Sequence, residues 1–140
     1  MNLNPAATTN TDMTTYDKHV TDTVDIWLDE NGIIWMVDHK GAEERIEHAR
    51  ENVATVWKAS GGIKRPVLID IRQLKSITRE AREYYAGEEV ANFGSSVALL
   101  TSSPATKVIG NFFLKFNKPT LPFRIFTSEL EAVHWLKGFI

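Results

Sequence analysis

The most informative charge feature of this 140-residue sequence lies from Lys58 to Arg82. Seven basic residues there, Lys58, Lys64, Arg65, Arg72, Lys75, Arg79 and Arg82, face two acidic ones, Asp70 and Glu80. Residues 17 to 51 run the other way, with ten acidic side chains against four basic. Cations beside the unpaired amides of a helix N-terminus are an ordinary means of holding a phosphate or carboxylate. Arg72, Lys75 and Arg79 follow an apolar run and flank a helix start, so they are the candidate ligands for a small anion or an acidic protein partner. The competing reading is a solvated surface in which Arg79 and Arg82 pair with Glu80 and Glu83. Asp70 ends the apolar run and is a candidate general base; a strand-terminal Asp capping the next turn is the alternative.

No other grouping points to catalysis. His19, His39, His48 and His134 are far apart and none has a ligand partner at i+4 or a carboxylate pair at metal spacing. There is no Gly-rich phosphate loop, GxSxG or HExxH, and Gly61-Gly62 precedes a strand instead of joining strand to helix. The absence of cysteine excludes disulfides, thiol nucleophiles and thiolate metal sites together. The expectation is a non-enzymatic protein with no catalytic residue, metal or cofactor. A net charge of -2 gives no global attraction to nucleic acid or anionic membrane.

These side chains need elements to position them. Residues 1–20 are rich in Thr and Asn and read as a disordered tail, with no apolar run of signal-peptide or membrane-span length, so the cytoplasm is the expected compartment. Residues 21–140 read as one domain. Asp22–Asp29 and Ile33–Val37 flank Asn31-Gly32 as a β-hairpin, the first strand at an edge and the second apolar on both faces. Ala42, Ile46, Ala49, Val53 and Val56 recur at helical spacing up to Ala59, with Glu43 and Glu44 suiting the N-terminal dipole. Pro66–Ile71 reads as a buried strand, Thr78 as the cap of a helix from Arg79 to about Asn92, and Ser96–Thr101 as a further strand.

Ser103-Pro104 opens a helix to about Asn117, Phe123–Phe126 forms the last strand, and Ser128–Glu131 is a capping box before a final helix whose apolar face is Ala132, Val133, Leu136, Phe139 and Ile140. The order β-β-α-β-α-β-α-β-α implies an α/β fold with a mixed, mostly parallel five-stranded sheet and four helices. The helix with Phe112, Phe113 and Phe116 is apolar on more than one face. It needs a second cover, and a homodimer interface is the expected one, with a hydrophobic ligand and simple core packing as the alternatives.

The stretch from Val67-Leu68-Ile69-Asp70-Ile71 to Arg82, and that from Val97 through Ser103-Pro104 to His134-Trp135-Leu136, resemble uncharacterised bacterial proteins with a SpoIIAA-like fold, grouped with STAS and Sec14-like domains. The resemblance implies that fold for Asp22 to Ile140. In STAS-domain antagonists of anti-sigma factors, a phosphorylatable Ser, usually after Asp, stands at the corresponding helix start. Here that region is Ser76-Ile77-Thr78-Arg79-Glu80, which lacks the Asp-Ser pair, so Ser76 and Thr78 are the candidate phosphorylation sites. The resemblance thus implies a regulatory interaction module with a protein partner or small anion. Binding of a lipid or hydrophobic small molecule is the alternative.

Overall fold

The computed structural model describes residues 16–104, 108 and 121–140. His19–Val20 (β1) lies antiparallel to Val24–Leu28 (β2), which pairs antiparallel with Ile34–Asp38 (β3). Gly32, at φ 85°, takes the left-handed conformation the connecting turn requires. Asp29 organises that turn: one carboxylate oxygen accepts from the amides of Asn31 and Ile33 at 2.8 and 2.9 Å, the other from Trp35 Nε1 at 2.8 Å. The chain continues through Ala42–Glu44 (β4), Ile46–Ala59 (α1), Arg65–Asp70 (β5), Leu74–Ile77 (β6), Arg79–Tyr85 (α2), Glu88–Ala91 (α3), Gly94–Leu100 (β7), Phe123–Phe126 (β8) and Glu129–Lys137 (α4).

The main sheet has the order β1-β2-β3-β5-β7-β8, and it is parallel from β3 onward. Strand periodicity divides its apolar residues between two cores. Ile26, Ile34, Met36 and Val67 pack with Val56 of α1, while Leu99, Ile71 and Leu74 meet Tyr85 of α2. On the opposite face, Ile33, Leu68, Ala98, Leu100 and Phe126 pack against Ala132 and Leu136 of α4. Both faces of the central strands are therefore dry, as their uninterrupted apolar runs require.

The architecture departs from the sequence reading in definite ways. The main sheet has six strands, not five, because His19–Val20, which had been assigned to the tail, pairs with β2 and removes β2 from the edge. A two-stranded parallel sheet, β4-β6, stands apart from it. Ala42–Glu44 is thus a strand and not the first turn of a helix; its three residues alternate buried, exposed, buried, too short a run for periodicity to separate from the helical spacing that follows. α1 starts after it, where the Arg45 amide donates to His48 Nδ1 at 3.0 Å.

The helix expected from Arg79 to Asn92 is split at Ala86 and Gly87 into α2 and α3, Gly87 being a poor helix former. Among the described residues, three helices reach seven residues or more, not the four expected. The expected helix from Pro104 to Asn117 lies largely outside the described residues. Phe139 and Ile140, assigned to the buried face of the last helix, follow its end and are exposed.

Leu136 is fully buried and fastens α4 to the sheet. Leu136→Ala should lower the unfolding free energy by about 2–5 kcal/mol, the range for an uncollapsed leucine cavity. Urea denaturation of the purified protein measures it, and a loss well under about 1 kcal/mol would mean that α4 is not an integral layer.

Candidate functional site

Each of the basic residues singled out from the sequence has an acidic partner of its own. Arg72 donates from Nε and Nη2 to the two oxygens of Asp70 at 3.0 and 2.7 Å, and from Nη2 to Glu129 at 3.2 Å. Its guanidinium therefore ties the end of β5 to the start of α4, and those hydrogen bonds raise its pKa further. Asp70 also accepts from the Arg72 amide at 3.0 Å, closing the turn. Lys75 lies 3.7 Å from Glu43 across the β4-β6 pair, and Arg79 pairs with Glu83 at 3.1 Å along α2. Thr78 is the N-cap of α2, its hydroxyl accepting from the Ala81 amide at 3.2 Å, and both Thr78 and Ser76 are exposed. Phe112, Phe113 and Phe116 lie outside the described residues.

A different cluster is concentrated beneath the helical layer. Asp38 follows Ile34 and Met36 at strand spacing, so it turns inward on the face that α1 covers. Glu44 turns inward from β4, Asn52 from α1 and Tyr85 from α2. Asn52 is fully buried, and its amide nitrogen donates to Tyr85 OH and Thr23 Oγ1 at 3.0 Å and lies 3.4 Å from Glu44 Oε1. Asn52 Oδ1 accepts from Thr21 Oγ1 at 2.7 Å. The Tyr85 hydroxyl donates to Glu44 Oε1.

Asp38 is 4% exposed and neither of its oxygens meets a donor. Two carboxylates cannot bond each other without a proton between them. Burial, followed by the hydrogen bond to Glu44 and the charges of Glu44 and Asp70, pushes the Asp38 carboxyl up to about 10. Asp38 therefore keeps its proton at neutral pH and shares it with Glu44 through a hydrogen bond. Burial, then the charge of Glu44, holds the Tyr85 phenol well above its ordinary value, so it stays a donor.

Two members of this cluster, Glu44 and Tyr85, line one corner of a cavity of about 230 Å³. Met36, Val67, Ile69, Val97 and Leu99 of the sheet form its floor, Val53 and Val56 of α1 one wall, and Leu74, Ile77, Tyr85, Ala86 and Val90 the wall under β6, α2 and α3. Glu44 and Glu88 are the charged side chains among its described lining. Such a cavity suits a compact apolar molecule that carries one polar group.

Sequence reasoning missed Asp38, Glu44, Asn52 and Tyr85 as a group. The signals were individually present: Asn52 stands three residues after Ala49 and four before Val56 on the apolar face of α1, and Asp38 ends an apolar run. What joins them is contact between residues 33 to 41 positions apart, which no local spacing encodes.

The fold places the protein in the SpoIIAA-like class. An uncharacterised DUF3478-family protein with a SpoIIAA-like fold from Shewanella loihica PV-4 is 17% identical, with a TM-score of 0.52 over 87% of this chain and 92% of that one. The anti-sigma factor antagonist SpoIIAA in its unphosphorylated form is 13% identical, with a TM-score of 0.52 over 89% of this chain and 99% of that one. A protein of unknown function from Arthrobacter sp. FB24 is 30% identical over 79% of this chain and 90% of that one, with a TM-score of 0.32. No curated protein matches the chain. Within the class, the chain belongs to the DUF7793 family, a domain of unknown function whose model matches residues 26–140. Among the described residues, no helix is long and apolar enough to cross a membrane.

The shared proton sets a pH dependence. A carboxyl that titrates near 10 in the fold and near 3.8 when free binds more protons folded than unfolded between those values. Its contribution to stability is complete below the lower value and declines as pH rises toward the upper one, by up to about 1.4 kcal/mol per pH unit. Asp38→Asn keeps the shape and supplies a permanent donor to Glu44, so it should flatten this decline and raise stability in alkaline buffer. Urea unfolding at about pH 5, 7 and 9 tests it; a variant as pH-sensitive as the parent would argue against the shared proton.

Proposed function

We propose that this domain is a non-enzymatic, ligand-responsive interaction module. A small, largely apolar molecule occupies the cavity, and a protein partner meets the outer side of the segment that roofs it. The observation that carries this reading is the two-sidedness of residues 74–85. Leu74, Ile77 and Tyr85 line the cavity, whereas Lys75, Ser76, Thr78 and Arg79 on the same stretch are exposed. A molecule inside would press on the inner side of the surface a partner reads.

The outer surface has the chemistry for such contact. The pairs Lys75–Glu43 and Arg79–Glu83 are exposed ion pairs, each worth at most about 1 kcal/mol, so an acidic partner can exchange with them at little cost. Arg72 is different, being held on both sides by the buried Asp70 and by Glu129, and it serves the frame behind that surface. A protein of the same fold that antagonises an anti-sigma factor supports a protein partner, and the existence of an unphosphorylated form of that protein supports a modified position here, for which Ser76 and Thr78 are the candidates. A phosphate on Thr78 would lie at the N-terminus of α2 beside Arg79, favourable ground for its charge.

Benzyl alcohol is a suitable probe for the cavity. Amide NMR should show saturable shifts at Leu74 and Ile77 and transmitted shifts at Lys75, Ser76, Thr78 and Arg79. Val53→Phe, which places a ring in the cavity at an overpacking cost of about 1–3 kcal/mol, should remove both sets of shifts while the circular dichroism stays folded. Shifts confined to the lining would leave a binding site uncoupled from the surface, and the proposal would fail.

A further inference from the structure

We infer that the cavity selects a protonated amine on a compact apolar body, with Glu44, backed by Asp38, as the group that recognises the nitrogen. The inference rests on the reading of the cavity as a ligand site and names the chemistry of its ligand. It follows from a count of donors and acceptors in the polar corner. The one hydroxyl hydrogen of Tyr85 goes to Glu44, and the two amide hydrogens of Asn52 are divided among Thr23, Tyr85 and Glu44. The Thr21 hydroxyl is directed to Asn52. Of the two corner side chains that line the cavity, Glu44 and Tyr85, neither has a donor left for a ligand's carbonyl or carboxylate.

Acceptors, in contrast, are in surplus. Asp38, 4% exposed, has both oxygens without a donor, and Glu44, 3% exposed, lines the cavity directly. Asp38 keeps the proton it shares with Glu44. Glu88 adds a second carboxylate, and no basic side chain is among the described lining residues. A carboxylate ligand would meet like charge in a low-dielectric space, whereas an ammonium supplies both the missing hydrogens and the missing charge. An apolar cavity of roughly 150 Å³ holds benzene, so 230 Å³ has room for a ring with a one-carbon arm and a polar head.

Benzylamine, benzyl alcohol and benzoate share that size and differ in the head. Titrated into the purified protein at neutral pH and followed by NMR of Leu74, Ile77 and Val97, benzylamine should bind at least about tenfold more tightly than benzyl alcohol, and benzoate should not bind. Glu44→Gln should bring benzylamine to the affinity of the alcohol and leave the alcohol unchanged. Should that variant fail to fold, the comparison of the three probes on the unsubstituted protein decides the assignment. Equal binding of amine and alcohol, or binding of benzoate, would overturn the amine assignment and leave the cavity intact as a ligand site. Failure of all three to shift the lining residues would overturn the ligand reading itself.

Discussion

Asn52 is the group on which the helical layer of this protein depends. It is fully buried in the middle of α1, and through it the loop before β2, strand β4 and helix α2 are hydrogen-bonded to one point. An unpaired amide at that depth would cost several kcal/mol, so each of these elements must take its place for α1 to dock. The carboxylates impose a similar demand. Asp38 and Glu44 are stable together only when a proton, or a group able to replace it, stands between them. The small β4-β6 sheet follows from this constraint, because it directs Glu44 inward and positions the Thr78 amide to donate to the Glu44 carbonyl at 2.9 Å.

The same constraint shapes the cavity beside the cluster. Hydrogen bonding holds Tyr85 with its hydroxyl toward Glu44, so α2 ends at Tyr85 and the chain turns at Gly87 into α3, spanning the floor of Met36, Val67 and Val97. The space is lined mainly by apolar side chains of the sheet, α1, β6 and the α2–α3 segment, with Glu44 and Glu88 as the charged side chains of its described lining. A protein core is ordinarily filled to the density of an organic crystal, and a void of 230 Å³ forfeits the contacts its lining would otherwise make.

The basic stretch that dominates the sequence has a mainly structural outcome at Arg72. Its fork-to-fork pairing with a buried carboxylate, extended to Glu129, joins the carboxyl end of β5 to the N-terminus of α4. Lys75 and Arg79 remain on the surface in pairs that water can replace. The charge asymmetry of the sequence is therefore used across the fold: acids from the first third meet bases from the middle, as in Glu43 with Lys75.

The sequence alone determined the class of fold, the hairpin around Gly32, the parallel strands from Val67 onward and the caps at Thr78 and Ser128, because each of these is written in residues close along the chain. It also carried the break at Gly87 and the polar Asn52 on an apolar helix face, signals that were present but local in appearance. Only the tertiary structure decided that His19–Val20 joins the sheet, that Ala42–Glu44 is a strand, and that Arg72 belongs to Asp70. Only it decided that Asp38, Glu44, Asn52 and Tyr85 form one buried corner. The reason is physical: backbone propensity and periodicity act over a few residues, whereas the pairing of a two-residue strand and the sharing of a proton between buried acids are set by neighbours brought together when the whole chain packs.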